Sequence, residues 1–273
     1  MKNIQEKRNA FYALHQSGCF VMPNPWDRGS ARVLEQMGFK ALASTSAGLC
    51  WSHGRADGQL GLEQTLEHLQ QLTGCTSLPV NADFESGFAS SAVGVYQNVS
   101  RAIGTGVAGL SIEDSSGNPN APLRSLEESL ERLHAAREAI DASGSKVLLT
   151  GRAEHFFVGV PDMEDCLLRL QAYAQAGADC LYAPGIRTRE QIIAVVEAVA
   201  PKPVNVLIGW DSDLCVAELT ELGVRRISVG GALARTAWYG FMQAARQIAE
   251  QGRFHALGES TPAKELNERF AGS

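Results

Sequence analysis

The chain has 273 residues and a formal net charge of -6 at pH 7, with 45% hydrophobic and 20% charged residues. That is room for one large buried core in an ordinary soluble globular protein, and the acidic balance gives no basic footprint for nucleic acid or an anionic membrane. No apolar run reaches the length of a membrane span and the N-terminal residues lack a signal-peptide core, so a cytoplasmic protein is expected.

In chain order, β-type runs are predicted at 19–22, 41–45, 79–82, 109–112, 147–150, 180–183, 204–207 and 226–229. Amphipathic stretches fall at 27–37, 61–73, 91–104, 125–142, 163–176, 188–199, 212–222 and 232–250. Strand–helix alternation argues for a parallel sheet with helical crossovers, and eight units in one domain argue for a closed barrel. Gly38, Gly106, Gly177 and Gly223 each stop a helix just before a strand. An open doubly wound sheet is the structural alternative, but no Gly-x-Gly-x-x-Gly follows the first run. The predicted fold is α/β, a (β/α)8 TIM-type barrel over 1–273 with 252–273 as a C-terminal helical extension. Thr261 and Pro262 suit an N-cap and first helical position. Such a helix must pack on the chain's own surface or on a neighbouring subunit.

In a barrel of this kind the active site lies at the C-terminal ends of the strands. Run 2 leads into Ser44, Ser46, Ala47 and Gly48, and its loop carries His53 and Asp57. Run 3 ends in Asn81, Asp83 and Glu85, run 4 in Glu113 and Asp114, run 5 in Arg152 and Glu154, and run 7 carries Asn205. Asp57, Asp83, Glu85, Glu113 and Glu154 are expected to converge on one mouth with Arg152 among them. Crowded carboxylates repel unless protons or a cation neutralise them. With oxygen donors only, the fitting cation is hard and divalent, Mg²⁺ or Mn²⁺. Arg152 offers a bidentate fork for a substrate carboxylate or an oxyanion, and the turn at Ser46, Ala47 and Gly48 offers backbone N–H groups. The set suits a small anionic oxo-acid that reacts through an enolate. Taken singly, each feature has a plainer reading as a solvated loop charge, a helix cap or a structural ion pair. Their joint placement after runs 3, 4 and 5 favours function.

The six cysteines, Cys19, Cys50, Cys75, Cys166, Cys180 and Cys215, are scattered without Cys-x-x-Cys spacing. They read as small hydrophobes in a reducing compartment, and only Cys50 lies near the motifs above.

At Met22 to Asp27, Ser46-Ala47-Gly48, Asn81 to Phe88, Ile112-Glu113-Asp114 and Gly151 to Glu154, the sequence resembles the isocitrate lyase / phosphoenolpyruvate mutase superfamily over nearly its whole length. The resemblance implies a barrel lyase in which Asp83, Glu85 and Glu113 hold Mg²⁺ with Asp57 nearby. It further implies that Arg152 binds the substrate carboxylate and that Ser46, Ala47 and Gly48 form the oxyanion turn. It also implies a homo-oligomer, dimer or tetramer, often with an exchanged C-terminal helix.

The departures narrow the activity. Isocitrate and methylisocitrate lyases of this superfamily carry a Lys-(Lys/Arg)-Cys-Gly-His loop after strand 4. Here the segment from Asp114 to Arg124 holds no Lys, Cys or His, which argues against both activities. Asn118 and Asn120 stand near the asparagine of the phosphonopyruvate-acting members, whose lysine is missing. His53 is a candidate proton carrier near neutral pH, with an exposed loop histidine as the plainer reading. Arg55 could reach the mouth as well, and His155, after the Arg152 motif, reads either as a second proton carrier or as pointing away from the pocket. The loop 115–122 reads either as a mobile lid or as an inert connection.

The leading expectation is a Mg²⁺-dependent lyase that cleaves or decarboxylates an oxaloacetate-like acid. Alternatives are a phosphonopyruvate-type C–P hydrolase and a carboxylate-binding protein without turnover. A phosphosugar barrel using 228–231 would leave the carboxylates unexplained. A Schiff-base aldolase lacks a lysine at a strand end, because Lys40, Lys146 and Lys202 precede strands.

Overall fold

Eight parallel strands form one sheet in the order β1-β8-β7-β6-β5-β4-β3-β2. They are β1 (Phe20–Met22), β2 (Leu42–Ala43), β3 (Val80–Asp83), β4 (Gly109–Glu113), β5 (Leu148–Arg152), β6 (Cys180–Tyr182), β7 (Val204–Leu207) and β8 (Arg226–Ser228). The computed structural model describes residues 2–271. Each predicted run overlaps one strand, with β3, β4 and β5 extending one or two residues past the predicted ends to Asp83, Glu113 and Arg152. The second shrinks to two residues: Ser44 N still donates to Asn81 O at 2.9 Å, and Thr45 already caps the following helix.

β1 and β2 do not pair as strands, yet the barrel is stapled there. Ala43 N donates to Pro23 O at 3.1 Å. Asn24 is buried at the seam, donating to Ser44 O at 2.8 Å and accepting from Val229 N and Gly230 N. One side chain thus joins the ends of β1, β2 and β8.

Helix α1 (Ile4–Leu14) has no counterpart among the predicted stretches. Asn3 and Glu6 form its capping box, which fixes its start. Its Phe11 is fully buried in a cluster with Phe20, Met22, Ala41, Ala43, Ala108 and Leu148. Lys7 Nζ donates to Thr73 O and Thr76 O, and the Arg8 guanidinium to Ile103 O and Val107 O. The helix therefore closes the N-terminal end of the barrel.

The crossovers are α2 (Arg28–Gln36), α3 (Ser46–Ser52), α4 (Leu62–Cys75), α5 (Ala92–Gly104), α6 (Leu126–Ala142), α7 (Met163–Gln175), α8 (Arg189–Val199) and α9 (Val216–Glu221). Side-chain caps at Asp27, Thr45, Ser91, Ser125, Asp162 and Thr188 set six of their starts. The buried residues Leu110, Ile112, Leu149, Leu181, Val206 and Ile227 belong to the main apolar cluster, which they share with residues of these helices. Alternate positions on the same strands turn inward and carry the polar groups that matter below.

The chain divides into two compact units, Met1–Gly231 and Ala232–Ser273. The boundary precedes the predicted extension, because α10 (Ala232–Gln251), which matches the eighth predicted stretch, groups with the tail. The second unit continues through a 3-10 turn (His255–Glu259) to α11 (Ala263–Phe270). Ala256 N bonds to Gln247 Oε1 at 2.9 Å within that unit. Residues 272–273 of the predicted extension lie outside the described residues.

Candidate active site

Asp83, Glu113 and Arg152 are the last residues of the adjacent strands β3, β4 and β5. Glu113 and Arg152 are register partners, as are Arg152 and Tyr182. Arg152 Nη1 lies 3.1 Å from both Asp83 Oδ1 and Glu113 Oε2, and its Nε contacts Glu154 Oε1. Its side chain is only 13% exposed, so these pairs are shielded from water. Burial works against the guanidinium's charge, but Glu113, Glu154 and Asp83 outweigh it and hold its pKa well above the ordinary value.

The opposite imbalance falls on the carboxyls. Burial first, then the charges of Asp83 and Asp57, push Glu85 up to about 7. Burial likewise raises Glu113 and Glu154 against the pull of Arg152. Asp57 lies on an exposed loop, yet desolvation and the nearby Asp83 charge raise it too.

Local structure explains how the acids are held. Asp83 Oδ2 accepts from Ser46 N at 3.0 Å and Ser46 Oγ at 2.9 Å, and Asp83 N donates to Ser44 Oγ. Glu85 has a φ of 46°, a left-handed conformation unusual for glutamate, and its carbonyl accepts from Glu113 N at 3.0 Å. Strained backbone of this kind persists only where its surroundings over-determine it. Here Phe84 is fully buried on one side, and the Arg132 guanidinium binds Ser86 O, Ala89 O and Ser90 O on the other.

The remaining predicted residues divide. Ser46 joins Asp83, but its N–H is already used there, and Gly48 N donates to the Thr45 cap at 3.2 Å. The turn that holds Ser46, Ala47 and Gly48 is thus the first turn of α3, with two of its amides paired inside the protein. Asn205 lies buried in a polar layer away from the surface. It accepts from Arg226 Nε at 2.8 Å and donates to Ser228 Oγ at 2.9 Å. His53 is the C-cap of α3, with Nδ1 facing Leu49 O at 3.1 Å on an exposed loop. Asn118 and Asn120 are exposed at the tip of the loop after β4, where Asn118 Oδ1 accepts from Asn120 N. His155 is buried away from the mouth against Asp165, and Cys50 is buried as a small hydrophobe.

Three residues were not singled out from the sequence. Tyr182 ends β6 with its ring 5.3 Å from the Arg152 guanidinium carbon, and burial pushes its hydroxyl up to about 12. Asn24 lies within the Met22–Asp27 motif, where nothing local gives it a role of its own. Buried Arg226 had no local signal. The glycines after β8 are explained by packing. A Cβ on Gly231 would stand 2.9 Å from the Trp51 ring, and Gly230 N is bonded to Asn24. That removes the case for a phosphate site at 228–231.

The donor set suits a hard divalent cation: every group is oxygen, and the carboxyls are too crowded to ionise freely. Among the described residues, no three of these side chains converge as a ready metal cage, because Arg152 stands between them. One or two carboxylates with water completing the shell is the ordinary Mg²⁺ pattern.

The profile of the family described as phosphoenolpyruvate phosphomutase matches residues 11–249. The chain is 30% identical to an oxaloacetate decarboxylase of Pseudomonas putida (strain GB-1) over 84% of this chain and 80% of that protein. A solved structure of a candidate lyase/mutase from Burkholderia cenocepacia J2315 is 41% identical, with a TM-score of 0.95 over 98% of this chain and 97% of that one. A solved oxaloacetate acetylhydrolase, in complex with its product oxalate, is 25% identical with a TM-score of 0.86 over 98% and 95%. No helix among the described residues is long and apolar enough to cross a membrane.

Proposed function

The chain belongs to the phosphoenolpyruvate phosphomutase family, and we propose that within it this protein is a Mg²⁺-dependent lyase for an oxaloacetate-like acid, acting by decarboxylation or C–C cleavage through an enolate. The observation that carries the reading is the Arg152 guanidinium set among Asp83, Glu113 and Glu154 with Glu85 beside them. The likeness to an oxaloacetate decarboxylase and to an oxaloacetate acetylhydrolase supports the substrate class.

Asp83, Glu85 and Glu113, with Asp57 nearby, would hold the ion directly or through water. When bound, it supplies positive charge for the oxygens of the 2-oxo acid. Arg152 binds and orients a substrate carboxylate. Ser46 and Ser44 hold Asp83 in place. In decarboxylation the C3–C4 bond breaks, CO₂ leaves, and the electron pair moves to the C2 carbonyl oxygen. A proton at C3 then completes pyruvate. That sequence needs no strong acid in the loop after β4, which agrees with the absence of Lys, Cys and His from Asp114 to Arg124.

The second unit supports a homo-oligomer. α10 exposes Trp238, Phe241 and Met242 on one side, with Trp238 and Phe241 edge-to-face at 5.6 Å, an apolar face suited to contact with another copy.

The test is an assay of the purified protein with oxaloacetate, C2- and C3-substituted malates and phosphonopyruvate, each with and without Mg²⁺, with products followed by NMR. Mg²⁺-dependent pyruvate from oxaloacetate, or C–C cleavage of a malate, supports the reading. Inorganic phosphate from phosphonopyruvate alone would replace it with C–P hydrolysis. Tight binding without turnover would reduce the protein to a carboxylate binder.

A further inference from the structure

Behind the mouth lies a second buried ion pair that none of the proposed chemistry uses. Asp114 follows Glu113, and its side chain is fully buried. Its Oδ2 accepts from Tyr173 OH at 2.8 Å and faces Arg169 Nη1 at 3.2 Å. Its Oδ1 accepts from Glu154 N at 2.8 Å, and its own N donates to Arg152 O at 3.2 Å. The Asp114 carboxylate and backbone thus hold the segment that presents Arg152 and Glu154.

The same residue holds the loop after β4. Arg124 N donates to Asp114 O at 2.9 Å, and Arg169 Nη1 also donates to Arg124 O at 2.9 Å. Just beyond, Ser115 and Leu123 form an antiparallel bridge, and Ser116 N donates to Pro122 O. The loop is a small hairpin whose two feet rest on the Asp114–Arg169 pair. A buried charge pair has few alternative arrangements, because breaking it strands a charge away from water. The hairpin feet and the Arg152–Glu154 segment thus share one buried anchor, Asp114, while Arg169 is also held by Asp165 through its Nε at 2.8 Å.

We propose that Asp114 and Arg169 are positioning residues that couple the 115–123 hairpin to the placement of Arg152 and Glu154. The proposal rests on reading the mouth as the active site. Neither residue touches substrate. They set where the guanidinium and its carboxylate partner stand, and they make that placement depend on the hairpin.

The test compares wild type with Arg169→Met and Tyr173→Phe, using Arg101→Met at the exposed Arg101–Glu63 pair as control. Hydrogen exchange is read on peptides covering 115–124 and 150–158, beside thermal unfolding and the kcat and KM for oxaloacetate with Mg²⁺. Arg169→Met is expected to speed exchange in both peptides about tenfold and to lower kcat about tenfold, with KM changed less than about threefold. Tyr173→Phe acts in the same direction with a smaller effect and carries the test if Arg169→Met does not fold. Arg101→Met leaves all readouts at wild-type values. Faster exchange in 115–124 alone, with 150–158 and kcat unchanged, overturns the coupling. If wild type turns over no 2-oxo acid, the exchange measurements still decide: joint loosening keeps the coupling while the proposed reaction falls.

Discussion

Arg152 and Asp83 stand 3.1 Å apart, Nη1 to Oδ1, at the ends of strands that are not neighbours in the sheet. β4 lies between them, and its Glu113 meets the same nitrogen. Removing the guanidinium strands shielded carboxylates. Arg152→Met is expected to destabilise the protein by about 3–5 kcal/mol and to lower kcat/KM by at least about a hundredfold. Arg152→Lys keeps the charge but loses the fork, so it recovers stability more than activity. Thermal melts and steady-state kinetics on both variants check this. Equal recovery of both by lysine would show that charge alone is needed.

The Glu85 carboxyl yields a pH prediction. Its ordinary value is 4.5 and its folded value is about 7, so the folded state binds more proton between those two. Its stabilising contribution is full below pH 4.5 and is lost as the pH rises through about 7. A divalent cation favours the ionised form, so the rise in Tm on adding Mg²⁺ should be larger near pH 8 than near pH 5.5. Glu85→Gln should flatten the pH dependence of Tm in that window and shrink the Mg²⁺ effect. A Mg²⁺ shift independent of pH would remove Glu85 from the ion's surroundings.

Asn205 separates structure from binding. Truncation to alanine leaves Arg226 Nε and Ser228 Oγ without their partner inside the barrel. Asn205→Ala should cost about 1–3 kcal/mol in denaturant unfolding. KM for the 2-oxo acid should rise less than about threefold if the residue serves only the interior layer. A large rise in KM with unchanged stability would instead return Asn205 to the substrate.

The apolar face of α10 predicts association. Phe241 and Met242 are 62% and 47% exposed, enough to serve as anchors in a contact between copies. Sedimentation of a Phe241→Glu, Met242→Glu double variant should show a smaller species than wild type, with secondary structure unchanged by circular dichroism. A wild-type monomer at micromolar concentration would end the oligomer reading.

The barrel and the chemical character of its mouth are legible from residue order alone. Strand–helix alternation and glycine stops locate all eight strands, because backbone period and turn conformation are local properties. Acids at the ends of runs 3, 4 and 5 are likewise legible, since a strand's last residue can be counted along the chain. Which of these groups meet depends on the folded chain. Arg152 bonds residues 69 and 39 positions away in the chain, Asp83 and Glu113, which no local pattern specifies. The start of α1 carries a local signal, the Asn3–Glu6 capping box, but its burial of Phe11 against β1, β2 and β5 depends on segments distant in the chain. Asn205, expected at the substrate, bonds Arg226 and Ser228 inside the barrel, a pairing that depends on the neighbouring strand. Burial and long-range pairing, not residue type, set those roles.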